Sequence, residues 1–316
     1  MSGFGVIIHH FHDDKKHIPI QGSMTADEFE KLLGYCSKKF NLFSAQDWLS
    51  RAVAGTLSDK DVCLTFDDSL RCQFDIALPV LRKFKLKAFW FIYTSPLDGV
   101  VEKIELYRYF RNKHFRDIQD FYAAFDKVIE TSAHADLVRK GLKAFSEDQY
   151  LTGFTFYSLE DKKFRFIRDE ILGKEKYDAL MDEMIKNYGL DRKDILSLLW
   201  MDQNCIETLD KEGHIIGLHS HTHPMNLGAL SAQEQKQEYT TNFQKLKSIV
   251  RQNIMTMSHP SNSYNKDTFA VLKDLNINIG FRANMAMPEH SVYEFARYDH
   301  SLLVKEMQLE SNCIHK

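Results

Sequence analysis

The sequence predicts an α/β fold in which helical crossovers join strands into a parallel sheet or barrel. Three observations carry this: short runs of β-branched and aromatic residues recur, amphipathic stretches with legible helix starts separate them, and two of the runs end in clusters of reactive side chains. The runs span 5–10, 62–66, 87–93, 214–218, 256–258 and 279–281. Between them, Thr25 with Glu28 and Ser231 with Glu234 have the spacing of capping boxes, in which each side chain satisfies an orphan backbone donor at a helix start. From about 97 to 200 the rhythm breaks, and the chain becomes charged, aromatic-rich and helical in period. This stretch reads as an insertion between two core strands, so that residues 1–316 form one barrel-type domain interrupted by helices. Its aromatics are read first as helix core, since any packed helix shows such spacing. The insertion is also expected to cap the site and select substrate, with Phe154 and Tyr157 as the side chains to test for contact.

With 316 residues and 44% hydrophobic content, the chain can bury a full core. The 41 Lys and Arg nearly balance 44 Asp and Glu, and no basic stripe suits a phosphate backbone, which excludes nucleic acid as a partner. The first residues show no basic n-region followed by an apolar one, and no apolar stretch approaches the ~20 residues that span a bilayer. Cys36, Cys63, Cys72, Cys205 and Cys313 are scattered and form no Cys-x-x-Cys pair, so they make neither a disulfide framework nor a thiolate zinc site. A cytoplasmic protein with free thiols and no membrane span is the expectation.

The first reactive cluster is Leu64-Thr65-Phe66-Asp67-Asp68-Ser69, an apolar strand running into two adjacent carboxylates. Two ionised neighbours repel and are costly to desolvate unless a cation compensates. Taken alone, the same residues read as a solvated helix cap. The second cluster closes the strand at 214–218 with Leu218-His219-Ser220-His221-Thr222-His223-Pro224. His219 and His223, four apart, face one side of a helical turn, while His221 points elsewhere. Taken alone, this is a polar, capped turn. Together, Asp68, His219 and His223 give a divalent ion three protein ligands and an open position, the arrangement of a catalytic zinc site, for which cobalt or nickel could substitute. Asp67 is then the carboxylate placed to take a proton from the attacking water.

Thr-Phe-Asp-Asp followed at a long interval by His-Ser-x-x-His resembles the polysaccharide deacetylases, the NodB-homology group or carbohydrate esterase family 4. The resemblance implies a distorted (β/α) barrel with Asp67 as base and Asp68, His219 and His223 as metal ligands. The chain departs from the family at Ser69, where glycine is usual, and at Ser258-His259-Pro260-Ser261-Asn262-Ser263-Tyr264-Asn265, which lacks the arginine that orients the base. The resemblance assigns the Ser261 amide to the oxyanion and sets His259, Arg297 and Asp299 around the substrate. Alternatively, His259 is a buried structural side chain, and Arg297 and Asp299 orient a catalytic group or simply form an ion pair. No Leu-x-His motif stands near the C-terminus. A branch resembling poly-N-acetylglucosamine deacetylases takes its general acid from an N-terminal Tyr-His motif, which implies His10 in Ile8-His9-His10-Phe11, with His12 and His300 behind it.

The expected activity is metal-dependent removal of an N-acyl group, acetyl foremost, from an amino sugar in surface-glycan precursor metabolism, the substrate being nucleotide-linked or lipid-linked. The alternatives are a sugar deformylase or O-deacetylase with the same site, and a catalytically silent carbohydrate-binding protein.

Overall fold

The computed structural model describes residues 3–151, 158–190, 192–286 and 291–314, so Phe154 and Tyr157 lie outside the described residues. The chain forms two compact units, Met1–Val101 with Leu196–Lys316, and Glu102–Ile195.

The first unit contains eight strands: β1 (Phe4–Ile8), β2 (Asn41–Leu42), β3 (Asp61–Phe66), β4 (Phe89–Ile92), β5 (Ile215–Leu218), β6 (Thr256–Ser258), β7 (Ile279–Phe281) and β8 (Arg297–Asp299). They pair in the order β7-β6-β5-β4-β3-β1-β8, with β2 on the edge of β3. Every pairing is parallel. Just before β8 the chain bridges back to β7, Phe281 to Phe295, and β8 then pairs with β1, so the sheet is nearly closed into a (β/α) barrel. Strands covered on both faces need continuous apolar runs, and β1, β4 and β5 are buried at every residue. The two strands that periodicity missed, β2 and β8, are two and three residues long, too short to show a period.

Phe89, Phe91, Phe281 and Phe295 gather around Trp48 from the helix Ala45–Ala54. The Trp48 ring meets Phe281 at 5.2 Å and Phe295 at 5.0 Å. Gly217 in β5 is needed for this packing, because a Cβ there would lie 2.6 Å from the Phe91 ring. Both expected capping boxes form, at Thr25 and at Ser231.

The second unit is helical, with helices Lys103–His114, Ile118–Thr131, Ala135–Gly141, Leu159–Phe166 and Gly173–Asn187. Phe121, Phe125 and Phe164 are buried, and the Phe164 ring lies 5.5 Å from Phe121 and 5.2 Å from Phe125. These aromatics are the core of the unit, which is why they recur at helical spacing. Among the described residues no helix is long and apolar enough to cross a membrane.

Candidate active site

The two reactive clusters stand at the carboxyl ends of β3 and β5, on either side of β4, where a parallel barrel presents its loops. The β1–β3 ladder ends at Ile8 and Phe66. Past Asp67, the chain turns through Asp68 (φ 73°) and Ser69 (φ 57°), both left-handed. Ser69 thus takes the conformation that glycine adopts more readily, and it is held there by its hydroxyl donating to the Tyr93 carbonyl (3.2 Å) and its own carbonyl accepting from Met201 (2.8 Å). Six of the nine left-handed non-glycine residues described, Asp68, Ser69, Ser220, His223, Ser261 and Asn262, lie in the three loops after β3, β5 and β6. Such conformations cost about 1–3 kcal/mol each and persist where the surroundings over-determine them.

Asp68 Oδ1 faces two imidazole nitrogens, His219 Nε2 and His223 Nε2, each at 3.3 Å. His219 is oriented by its neighbours: its Nδ1–H donates to the Ser258 carbonyl at 2.8 Å, which leaves Nε2 as the lone pair turned to Asp68. Its backbone N–H donates to Asn242 Oδ1, and Asn242 in turn donates to the Ile92 carbonyl. His223 reaches the same point through a bend with left-handed Ser220 and His223, not the helical turn that the four-residue spacing suggested. Its ring packs on Tyr93 at 5.3 Å. His221 turns away to Thr94 and Asp98.

Three electron-pair donors, all within 4.8 Å of one another, thus converge, and Asp68 Oδ1 is buried without a hydrogen bond. Such convergence is repulsive unless a cation sits among them. The 3.3 Å separations also match the edge of a tetrahedron whose corners lie about 2.0–2.1 Å from its centre, the bond lengths zinc forms with His and carboxylate. The residues fit a divalent ion. With protons on the imidazoles in place of a cation, burial still raises the Asp68 carboxyl, but His219, His223 and His9 outweigh it and hold it well below the usual carboxylate range.

Asp67 is not part of that trio. Its carboxylate is clamped by Arg297 from β8, Nη1 to Oδ1 at 2.7 Å and Nη2 to Oδ2 at 2.8 Å, while Ser258 donates to Oδ2 at 3.0 Å. The arginine missing from the loop after β6 is supplied by a strand on the other side of β1. Burial pushes the Asp67 carboxyl up, yet Arg297 and then His219 outweigh it and keep it ionised, below its ordinary value. Ser258 bridges the two halves of the site, because its hydroxyl touches both Asp67 and Arg297 while its carbonyl holds His219.

The histidine beside this pair is His9, with Nε2 3.9 Å from Asp68 Oδ2, rather than the expected His10. Strand parity explains the difference. A Cβ at Gly5 would meet Thr65 and Arg297 inside the barrel, so Gly5, Ile7 and His9 share the inward face and His10 takes the other. His10 stacks on His9 with ring centroids 6.1 Å apart. Burial lowers the His9 imidazole more than Asp68 and Asp67 raise it. His12 is bound to Ser23 (2.8 Å), and His300 is wedged between the carbonyls of Ile7 and Gly22 (3.3 and 2.9 Å), so both are structural here. His259 also differs from its expected role. It is 1% exposed, its Nε2 is bonded to the Tyr293 carbonyl at 2.8 Å and it stacks on Tyr264, leaving no surface for substrate. Ser261 is exposed on the loop after β6, its Oγ near Met225 Sδ, and Asp299 sits at the end of β8, where burial raises its carboxyl but hydrogen bonds from Ser301, then His300 and His9, hold it below its ordinary value.

A family model for polysaccharide deacetylase matches residues 54–112 and 179–280, more than half of the chain. The chain belongs to the polysaccharide deacetylase family. Among solved structures it is similar to the Streptococcus pyogenes deacetylase PplD in complex with acetate, at 15% identity and TM-score 0.55 over 98% of this chain and 97% of that one. IcaB from Ammonifex degensii aligns at 12% identity and TM-score 0.54, over 97% of each chain. A de-N-acetylase from Aggregatibacter actinomycetemcomitans aligns at 11% identity and TM-score 0.52, over 96% of this chain and 97% of that one. At such identities the likeness shows the fold alone. No curated protein matches the sequence significantly.

Proposed function

We propose that this chain is a metal-dependent hydrolase that removes an N-acyl group, acetyl foremost, from an amino sugar. The observation that carries the reading is the convergence of Asp68 Oδ1, His219 Nε2 and His223 Nε2 beside a separate, buried and ionised Asp67. A divalent ion held by that trio, zinc by its donor set with cobalt or nickel as substitutes, supplies Lewis acidity toward the acyl oxygen and brings the pKa of a water to about 7.

The protein supplies the rest. Asp67, fixed in orientation by Arg297 and Ser258, accepts a proton from the attacking water. His9, across Asp68 from the other histidines, delivers a proton to the departing amine. The water oxygen bonds to the acyl carbon, the C–N bond breaks, and a carboxylate and an amine result. The amide of Ser261, on the strained loop after β6, is assigned to the acyl oxygen.

Family membership supports a carbohydrate substrate. Within that class we assign a small nucleotide-linked or lipid-linked precursor handled in the cytoplasm, a reading supported by Cys36, Cys63 and Cys205, which are buried as thiols. A binding protein without activity would need neither the trio nor a spare carboxylate beside it. The test is acetate and formate release by the metal-loaded protein from UDP-N-acetylglucosamine, its formyl counterpart and tri-N-acetylchitotriose. Acetate from the nucleotide sugar supports the proposal. Formate release alone makes the chain a deformylase, and efficient release from the oligomer alone refutes the precursor.

A further inference from the structure

We propose that Gln73 is a positioning residue of this reaction, its side-chain amide tying the main chain of His9 to that of Asp67 and so setting the spacing between acid and base. This rests on the roles given above to His9 and Asp67.

The ladder between β1 and β3 stops at Ile8 and Phe66, one residue short of both groups. Beyond it, the carbonyls of His9 and Asp67 both accept from Gln73 Nε2, at 2.8 and 2.6 Å. One amide nitrogen with two protons therefore joins the two strand ends where the backbone no longer does. Its orientation is determined, because the opposite flip would set an oxygen against two carbonyl oxygens.

Gln73 is 0% exposed, and its Oε1 is buried with no donor among the described residues. A buried side chain that leaves its own oxygen unpaired is a poor choice for packing alone, since an apolar residue would fill the space without that penalty. The clamp also falls where it is most needed. Directly after Asp67 come left-handed Asp68 and Ser69, and Gln73 opens the helical turn Gln73–Ala77 that leads away from them, with its own N–H donating to the Leu70 carbonyl at 3.1 Å. The strained turn is thereby braced to its own start and to β1. The next link between these segments is a weak one, Phe11 N–H to Cys72 Sγ at 3.4 Å.

The test uses Gln73→Met, which keeps length without donors, and Gln73→Asn, which keeps the amide one methylene short. Both are measured metal-loaded on whichever of UDP-N-acetylglucosamine or tri-N-acetylchitotriose the parent hydrolyses, with metal content and melting temperature recorded alongside. Misplacement by about 1 Å can cost 10²-fold. Gln73→Met is therefore expected to lose about 10- to 100-fold in kcat with KM and metal content near the parent's, its melting temperature falling only by the cost of two carbonyls left without their donor, and a crystal structure of the variant should show His9 displaced from Asp68. Gln73→Asn should fall between the two. Parental kcat in Gln73→Met overturns the proposal, as does a loss that tracks metal or melting temperature in both variants, which would make Gln73 merely structural. A parent active only on the formyl nucleotide sugar moves the same comparison to that substrate, and one inert on all three refutes the function proposed above, and the positioning role with it, before any variant is made.

Discussion

Replacing Arg297 by Met tests the wiring of the site. All five guanidinium protons are placed: Nε donates to the Arg282 carbonyl (2.7 Å), Nη1 to Asp67 Oδ1 (2.7 Å) and Thr65 Oγ1 (3.3 Å), Nη2 to Asp67 Oδ2 (2.8 Å) and Ser258 Oγ (2.7 Å). The two side chains are 0% and 3% exposed, so neither charge is screened by water. Removing the cation strands a buried carboxylate with one remaining donor, Ser258, and breaking such a pair costs about 3–5 kcal/mol. For a domain of this size that lowers the melting temperature by on the order of 10 °C. Lysine cannot substitute, because a compact ammonium offers three donors in place of a planar fork of five. Adding Asp67→Asn to Arg297→Met removes the stranded charge and should recover part of the loss, with a coupling energy of roughly 1–3 kcal/mol in the double-mutant cycle. Urea unfolding of the four proteins measures it. Melting of Arg297→Met within about 2 °C of the parent, or a coupling below about 0.5 kcal/mol, would refute the reasoning.

Three further outcomes are expected. Asp68→Ala, His219→Ala and His223→Ala should each lose most of the bound metal and the activity together, by elemental analysis and acetate release, and tight metal in His219→Ala would show that the ligand set is wrong. His9→Ala should depress kcat by about 10²-fold or more and His300→Ala should not, while a larger loss in His10→Ala than in His9→Ala would return the acid to the outward-facing residue. Stability should fall in acid, because burial pushes His214 down to about 4 and His259 down to about 3, whereas both titrate near 6.5 when unfolded. The unfolded chain then binds more protons, so their contribution is complete above about pH 6.5 and is lost as pH falls toward 4 and 3, about 2 kcal/mol each by pH 5. Urea midpoints at pH 7 and pH 5 that agree in the parent, or a slope unchanged in His214→Gln and His259→Gln, would contradict this.

The strand ends carrying Asp67, Asp68 and His219 were legible because each follows an uninterrupted apolar run, a signal that survives without tertiary context. The partner of Asp67 was not. Arg297 stands 230 residues away on a three-residue strand, and only the β8–β1 pairing brings it inward. The Arg-x-Asp motif suggests an orienting role or an Arg297–Asp299 ion pair, whereas the structure pairs Arg297 with Asp67 and so fixes the orientation of that carboxylate. His10 was preferred over His9 by analogy, where the inward parity of Gly5 would have selected His9 had the strand's facing been known. Ser258 acts through its hydroxyl and its carbonyl and Gln73 through its side-chain amide, and nothing in their sequence neighbourhood announces such contacts.

The proposed function gives metal binding and proton transfer to different members of the Asp67-Asp68 pair. Asp67→Asn separates them most directly, because the amide keeps the shape of the carboxylate while removing its charge and basicity. Metal content and kcat should be measured on the same preparation. About one divalent ion per chain is expected, as in the parent, with kcat lower by roughly 10²-fold or more. Near-parental turnover, or loss of the metal along with the activity, would contradict it.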